Sequence, residues 1–188
     1  IRDSNREVNL RSYPAVFEFK NTLGHRGVLV IRSTKEPLSG KITNTDPAYE
    51  RVGELGVAKA EVKMELEECR PLEDTEATKV SARLVNEFVE ESHIVLDRHE
   101  VNKRRVAEGK MKANVVLTRD AGTELPKFYN INERYGVRFA CLADMPVERG
   151  IARLAGMQSV DLPPPSGDLK FDCKLRVEKL LSFLPSFD

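Results

Sequence analysis

VRFACLADMPVERGIARLAG, residues 137–156, places an apolar strand directly before an amphipathic helix. The strand is predicted to end at Asp144 and the helix at Gly156. MQSVDLPPPSGD, residues 157–168, repeats the order with a third strand, a Pro-rich turn and a last helix. Upstream, ANVVLTRDAG, residues 113–122, predicts a strand that ends at Arg119 and Asp120. Strands that alternate with helices predict a largely parallel sheet, which binds ligands beyond the carboxyl ends of its strands.

The first half of the chain adds a hairpin and a long helix. AVFEFKN at 15–21 and GVLVIRS at 27–33 predict two strands joined by a short turn. Residues 39–72 show no sustained periodicity of apolar residues, which predicts a long loop with a short strand near Val62. After Pro71, a helix capped by Asp74 or Thr75 is expected, with a second helical piece over 100–106. The long helix is predicted to bury one stripe at helical spacing, formed by Val80, Leu84, Phe88 and Val95. The fold class is therefore α/β: a mixed, largely parallel sheet with an N-terminal hairpin, flanked by helices, in a single domain over residues 1–188.

Composition excludes several classes of function. Lys plus Arg and Asp plus Glu number 30 each, so the chain lacks the basic field that non-specific nucleic-acid binding requires. The three cysteines have no metal-ligand spacing and are interpreted as reduced thiols of a cytoplasmic protein. No apolar run reaches the length of a membrane span, and the missing initiating Met indicates a fragment.

Common catalytic motifs are absent from the sequence. It has no GxSxG, GxxxxGK[ST], GxGxxG or HExxH. His93 and His99 lie six residues apart on the predicted helix and do not share a face, so no metal site is expected. The residue types alone indicate an anion-binding α/β domain without an evident catalytic group.

Two arginines stand where an anion could bind. Arg26 follows His25 between two glycines in the hairpin turn, where backbone N–H groups and a planar guanidinium match a carboxylate or phosphate. A turn whose polar residues face water explains the same pattern. Arg119 and Asp120 follow a predicted strand, as a ligand-binding pair or as a salt bridge at the sheet rim. A basic cluster at 102–105, with Asn102 and Arg105, is most often a solvated face.

Eight short segments carry a resemblance that covers the chain from about residue 20 to its end. They are GHRGVLV (24–30), ITNTDP (42–47), LVNEF (84–88), EVNKRR (100–105), RDAG (119–122), YGVRFACLAD (135–144), RGIARLAGM (149–157) and PPPSGD (163–168). In order and spacing they resemble the archaeal-type cofactor-independent (2,3-bisphosphoglycerate-independent) phosphoglycerate mutases of the alkaline phosphatase superfamily.

The resemblance implies a two-domain enzyme that interconverts 3-phosphoglycerate and 2-phosphoglycerate through a phosphoserine. One domain carries the nucleophilic serine and two divalent metals, manganese or zinc, and the other, inserted domain binds phosphoglycerate. The metal-binding motifs have no counterpart here, so the chain is expected to be the inserted domain, without cofactors of its own and inactive alone. Its partners would be phosphoglycerate and the missing phosphatase-like domain.

The family-matched positions for substrate binding are first His25 and Arg26, then Arg119 and after it Asp120. Asn102 and Arg105 also match, in a role that is either binding or structural. Two alternatives remain open. One is a phosphonopyruvate decarboxylase-like or other phosphonate or phosphomonoester enzyme of the same superfamily. The other is a stand-alone anion-binding module.

Overall fold

The structure, a computed structural model, describes residues 10–53, 55–62 and 64–186. The chain divides into two compact units. Unit 1 runs up to Asn21 and continues over Gly27–Glu124, and unit 2 comprises Thr22–Arg26 and the chain from Leu125 onwards. Each unit is described by itself.

Unit 1 contains two antiparallel hairpins and two helices. The first hairpin pairs β1 (Ala15–Asn21) with β2 (Gly27–Ser33), with Ala15 opposite Ser33 and Asn21 opposite Gly27. The second pairs β3 (Tyr49–Val52) with β4 (Leu55–Ala58). The helices are α1 (Glu76–Asp97) and α2 (Glu100–Ala107).

The helix boundaries follow local capping chemistry. The Thr75 side chain accepts a hydrogen bond from the Thr78 N–H, so Thr75 is the N-cap of α1. At the next junction His99 caps α2 by accepting from the Val101 N–H through Nδ1 at 3.1 Å. The chain leaves α2 at Gly109, whose φ of +70° suits glycine best. The predicted long helix with a separate second piece is confirmed.

One face of α1 packs under the first hairpin. Phe88 is 2% exposed, and its ring lies 5.1 Å from that of Phe17 in an edge-on contact and 6.3 Å from that of Phe19. Both partners lie on one face of β1, since alternate strand residues point the same way. Four buried α1 side chains share the predicted stripe at helical spacing: Val80, Leu84, Phe88 and Val95.

A second buried cluster lies where the loop before α1 meets the helix. It contains Ile42, Cys69 and Ala82, with Ala121 packed against it. The Cys69 thiol donates to the Thr43 carbonyl at 3.1 Å, and burial raises its pKa from 9.0 to about 11. The cluster therefore contains a thiol that stays protonated at neutral pH.

Because the pKa of the Cys69 thiol is raised, we expect the protein to lose stability at alkaline pH. Above pH 9 the unfolded chain releases the Cys69 proton while the folded chain keeps it up to about pH 11, so the free energy of unfolding falls between these values. The loss should reach roughly 2 kcal/mol. Urea unfolding at pH 8 and pH 10.5 measures it against Cys69→Ala, which lacks the titrating group. Parallel pH curves for the two proteins would contradict the assignment to Cys69.

Unit 2 contains a β–α–β arrangement. β5 (Ala140–Ala143) pairs in parallel with β6 (Gln158–Asp161), and α4 (Pro146–Leu154) connects them. The short α3 (Ile131–Tyr135) precedes β5, and α5 (Leu169–Phe183) follows β6. A 3₁₀ turn over Leu184–Ser186 ends the described chain.

The ends of these helices are fixed by specific contacts. Gly156 ends the turn after α4 at φ +78°, and the Met157 N–H donates to the Ala152 carbonyl at 2.8 Å. The Asp168 side chain caps α5 by accepting from two backbone N–H groups. After β5, Asp144 pairs with Arg176 of α5, so this acid is bound to an arginine within unit 2.

One side of α5 is apolar and exposed. Leu169, Val177, Leu180, Leu181 and Leu184 are between 43% and 78% exposed. At 100° per residue these positions fall within a third of the helix circumference, whereas the half-buried Leu175 lies on the opposite side. One side of α5 and of the turn that follows it therefore carries an exposed stripe of mainly apolar side chains.

The α/β class and the N-terminal hairpin are confirmed, but the sheets differ from the prediction in detail. Within the described ranges the strands form three two-stranded sheets, of which only β5–β6 is parallel. The strand predicted over residues 113–120 is not formed among the described residues, and Val115 and Leu117 remain half exposed. A hairpin, β3–β4, lies where a loop was predicted, before Val62. No helix of the described chain is long and apolar enough to cross a membrane.

Candidate functional site

The site is built around Arg119 in unit 1. The segment 118–122 lies against the segment 44–49, more than 70 residues earlier in the chain. The Thr118 carbonyl accepts from the N–H groups of Thr45 and Asp46 at 2.9 and 3.2 Å. The Thr118 N–H donates to the Thr45 hydroxyl at 2.8 Å, and Thr45 is 1% exposed. The buried Thr45 and the half-buried Thr118 together fix the backbone immediately before Arg119.

The guanidinium of Arg119 lies over an aromatic ring and between two acids. Its Cζ is 3.8 Å from the centre of the Tyr49 ring. Nη1 is 4.0 Å from Asp46 Oδ2, and Nε is 3.5 Å from Asp120 Oδ2. Both distances exceed the ~2.8 Å of a charge-assisted hydrogen bond. Arg119 is therefore oriented by the ring but held only loosely by the acids, with 35% of its side chain exposed.

Asp120 has an unusual backbone. Its φ is +57°, the one positive value at a non-glycine position among the residues that the structure describes. Its N–H donates to the Asn44 side-chain oxygen at 3.2 Å, and Asn44 in turn donates to the Tyr49 carbonyl. Such strained residues cluster at functional sites, so the conformation supports a functional role for this loop.

His25 and Arg26 lie in the turn between β1 and β2, which belongs to unit 2. Gly24 takes φ +58°, and the turn closes through the Thr22 N–H donating to the Arg26 carbonyl at 2.9 Å. Both side chains are exposed at the tip. The structure does not test their predicted role in binding, which stays a prediction.

Asn102 and Arg105 both bind backbone in unit 1. Asn102 is 2% exposed; its amide donates to the carbonyls of Leu96 and Ala113, and its oxygen accepts from the Ala113 N–H at 2.7 Å. Arg105 donates through Nε to the Met111 carbonyl at 2.9 Å. These bonds hold the chain after α2, so the role that the structure shows is structural, and contact with substrate stays an untested prediction.

Sequence reasoning missed the residues of the earlier segment that contact Arg119 or hold its loop. Asn44, Asp46, Tyr49 and Arg51 come from the segment interpreted as a loop. The available signal was the length of that loop together with the polar run ITNTDP, since long loops in compact proteins are often functional. Nothing in the local pattern indicates which of its residues meets Arg119.

Among the described residues no three His, Cys, Asp or Glu side chains come together as a metal site. The two divalent metals implied by the resemblance therefore have no fitting set of side chains in this part of the chain, and no chemical step is derived through them.

Comparison with known proteins gives the family. A sequence model of the 2,3-bisphosphoglycerate-independent phosphoglycerate mutases matches residues 3–102. The mutase of Aeropyrum pernix is 45% identical over 144 residues, 76% of this chain and 34% of the relative. The chain belongs to this family. The member from Methanopyrus kandleri is 36% identical over 98% of this chain, which corresponds to 39% of the relative.

The structural comparison agrees. The cofactor-independent phosphoglycerate mutase of Thermoplasma acidophilum superposes with a TM-score of 0.51 at 25% identity, covering 99% of this chain and 44% of the other. The chain thus spans between about a third and two-fifths of the length of the curated relatives. The family assignment is confirmed, whereas the activity of a whole mutase is a matter for proposal.

Proposed function

We propose that this chain is the substrate-binding domain of a phosphoglycerate mutase that interconverts 3-phosphoglycerate and 2-phosphoglycerate, and that Arg119 is its main anion-binding group. The observation that carries the proposal is the loosely paired guanidinium of Arg119, stacked on Tyr49 at 3.8 Å with its two neighbouring acids at 3.5 and 4.0 Å. A carboxylate or phosphate oxygen offers the guanidinium shorter, bidentate hydrogen bonds than either acid does here.

Asp120 complements this role. Its side chain is 57% exposed beside the guanidinium and accepts hydrogen bonds when ionised. Phosphoglycerates carry a hydroxyl next to their anionic groups, so an arginine and an aspartate together match both features. The position of Asp120 therefore supports it as the acceptor for a substrate hydroxyl.

His25 and Arg26 form the second part of the proposal, as a separate group of positive and polar side chains on the hairpin tip. We assign the bond-making chemistry, a phosphoserine on a metal-dependent domain, to the larger share of the relatives' length that this chain does not span. During phosphoryl transfer the glycerate must be retained, which is the task that binding groups on this domain would perform. A cytoplasmic location belongs to the same proposal.

Calorimetric titration of the 188-residue chain with 3-phosphoglycerate tests the assignment of Arg119. Arg119→Ala should weaken binding by about 100-fold, since truncating one partner of a charged hydrogen-bonded pair costs about 2–5 kcal/mol. Arg119→Lys keeps the positive charge but not the planar guanidinium, so it should lose less affinity than Arg119→Ala. Arg70→Ala is the matched control, because Arg70 is an exposed unit 1 arginine whose nearest acid, Glu68, lies 3.8 Å away.

Equal affinity of the Arg119→Ala and wild-type chains would remove Arg119 from the site. Arg26→Ala, measured in parallel, tests the hairpin tip independently. Titration with phosphonopyruvate distinguishes the phosphonate alternative, which predicts tighter binding of that compound than of 3-phosphoglycerate. Mutase turnover by this chain alone with manganese supplied would contradict the assignment of the chemistry to another domain.

A further inference from the structure

Among the described residues of unit 1, Arg51 of β3 donates hydrogen bonds to carbonyls in three separate segments. Its Nη1 donates to the Gly40 carbonyl at 2.6 Å and to the Ala121 carbonyl at 3.0 Å. Its Nε donates to the Gly53 carbonyl at 3.2 Å. One guanidinium thus joins the segment before Ile42, the turn of the second hairpin and the loop that contains Arg119.

Two of the segments that Arg51 joins, those that contain Gly40 and Gly122, touch through backbone atoms alone. A Cβ atom on Gly40 would lie 2.6 Å from the Gly122 Cα and 3.0 Å from its backbone N. No side chain fits between segments at that distance. The contact therefore depends on the hydrogen bonds that flank it, and Arg51 bonds to a carbonyl on each side.

The loop held in this way is the one with the strained backbone. Ala121 follows Asp120, whose φ of +57° costs a non-glycine residue free energy. The N–H of Asp120 donates to the Asn44 side chain, and the carbonyl of the next residue, Ala121, accepts from Arg51. Asp120 is therefore held on both sides. Asp120 also approaches β4 closely, since a Cβ on Gly56 would lie 2.2 Å from its Oδ1.

The same strand supports the Arg119 side chain directly. Tyr49 and Arg51 are two residues apart on β3, so their side chains leave the same face of the strand. Tyr49 lies under the guanidinium of Arg119, while Arg51 binds the backbone two residues after it. One strand therefore fixes both the side-chain plane and the loop of Arg119.

We propose that Arg51 is a positioning residue for Arg119: by bridging the Gly40 and Ala121 carbonyls it keeps the 118–122 loop in the conformation that presents Arg119 on Tyr49. This inference rests on the proposed function, because the property that it controls is the affinity of the Arg119 site for phosphoglycerate. A lysine has one ammonium group in place of the planar fork and serves this geometry poorly.

A double-mutant cycle tests the proposal on the 188-residue chain, with 3-phosphoglycerate as the probe. Arg51→Ala should weaken binding about tenfold, the loss expected when hydrogen bonds from a charged group are removed. In the Arg119→Lys background the same change should have less than a threefold effect, because the positioned guanidinium is already gone. Added guanidinium ion should restore the affinity of Arg51→Ala for 3-phosphoglycerate. Sodium chloride at the same ionic strength, which should not restore it, is the control.

The outcomes separate the two proposals. If Arg119→Ala leaves binding unchanged, the proposed function fails. If Arg119→Ala weakens binding but Arg51→Ala does not, or if the two losses multiply fully in the double variant, only the positioning role is overturned. Arg70→Ala with added guanidinium controls for non-specific rescue. Should Arg51→Ala fail to fold, Arg51→Lys replaces it in the cycle, and full affinity in that variant would also overturn the proposal.

Discussion

Phe88→Ala is expected to lower the free energy of unfolding of unit 1 by about 3–5 kcal/mol, the range for deleting a buried aromatic side chain. Phe88 is 2% exposed and is the residue of α1 that contacts both Phe17 and Phe19 of β1. Its removal leaves a cavity between helix and hairpin and also ends two ring–ring contacts, each of which adds about 0.5–1.5 kcal/mol beyond burial.

Urea unfolding followed by far-ultraviolet circular dichroism measures the loss, because α1 contributes much of the helical signal. Ile94→Ala is the matched control: Ile94 lies on the same helix but is 50% exposed, and its truncation should cost about 1 kcal/mol or less. Equal losses for the two variants would show that Phe88 does not hold the hairpin on the helix.

Gly40→Ala is expected to cost about 3 kcal/mol of stability, the upper part of the range for overpacking, and to weaken binding of 3-phosphoglycerate as well. The added methyl would lie 2.6 Å from the Gly122 Cα, and backbone cannot rotate away as a side chain does. One of the two segments must therefore move, and the segment containing Gly122 carries Arg119. Thermal unfolding and calorimetric titration of the same preparation measure both effects.

Two glycines provide controls for this variant. Gly150 of α4 has no atom within 4 Å of an added Cβ, so Gly150→Ala should stabilise the helix by about 0.5–1 kcal/mol. Gly56→Ala would meet only the Asp120 carboxylate, a group that can rotate, so its stability loss should be smaller than that of Gly40→Ala. A Gly40→Ala protein with wild-type stability and affinity would show that the two segments can separate without consequence.

Elements with strong local signals were predictable from the sequence. The 3.6-residue spacing of Val80, Leu84 and Phe88 marked the buried face of α1, and Asp74 or Thr75 was predicted at its start, where Thr75 is the N-cap. Gly156 marked the end of the helix that follows β5. These signals involve residues within one or two turns of each other, which is the range over which helix periodicity and capping act.

The parts that were missed depend on contacts between distant residues. Residues 113–120 contain the β-branched apolar run that is typical of a strand, yet their neighbours are the segment 44–49 and side chains such as Asn102, and they pair with no strand among the described residues. The strands of β3–β4 are four residues long, too short to show a period. Arg119 was a candidate because it follows a predicted strand, and its contact with Tyr49 was not predictable, because Tyr49 lies 70 residues away and no local rule brings the two together.

The apolar stripe on α5 affects how the unfolding experiments are to be followed. Dyes such as anilinonaphthalene sulfonate fluoresce when they bind apolar surface and commonly report partly unfolded states. With Leu180, Leu181 and Leu184 exposed while the chain is folded, such a dye should give a bright signal from intact protein. Its fluorescence would then report the last helix and not the loosening of the aromatic core around Phe88.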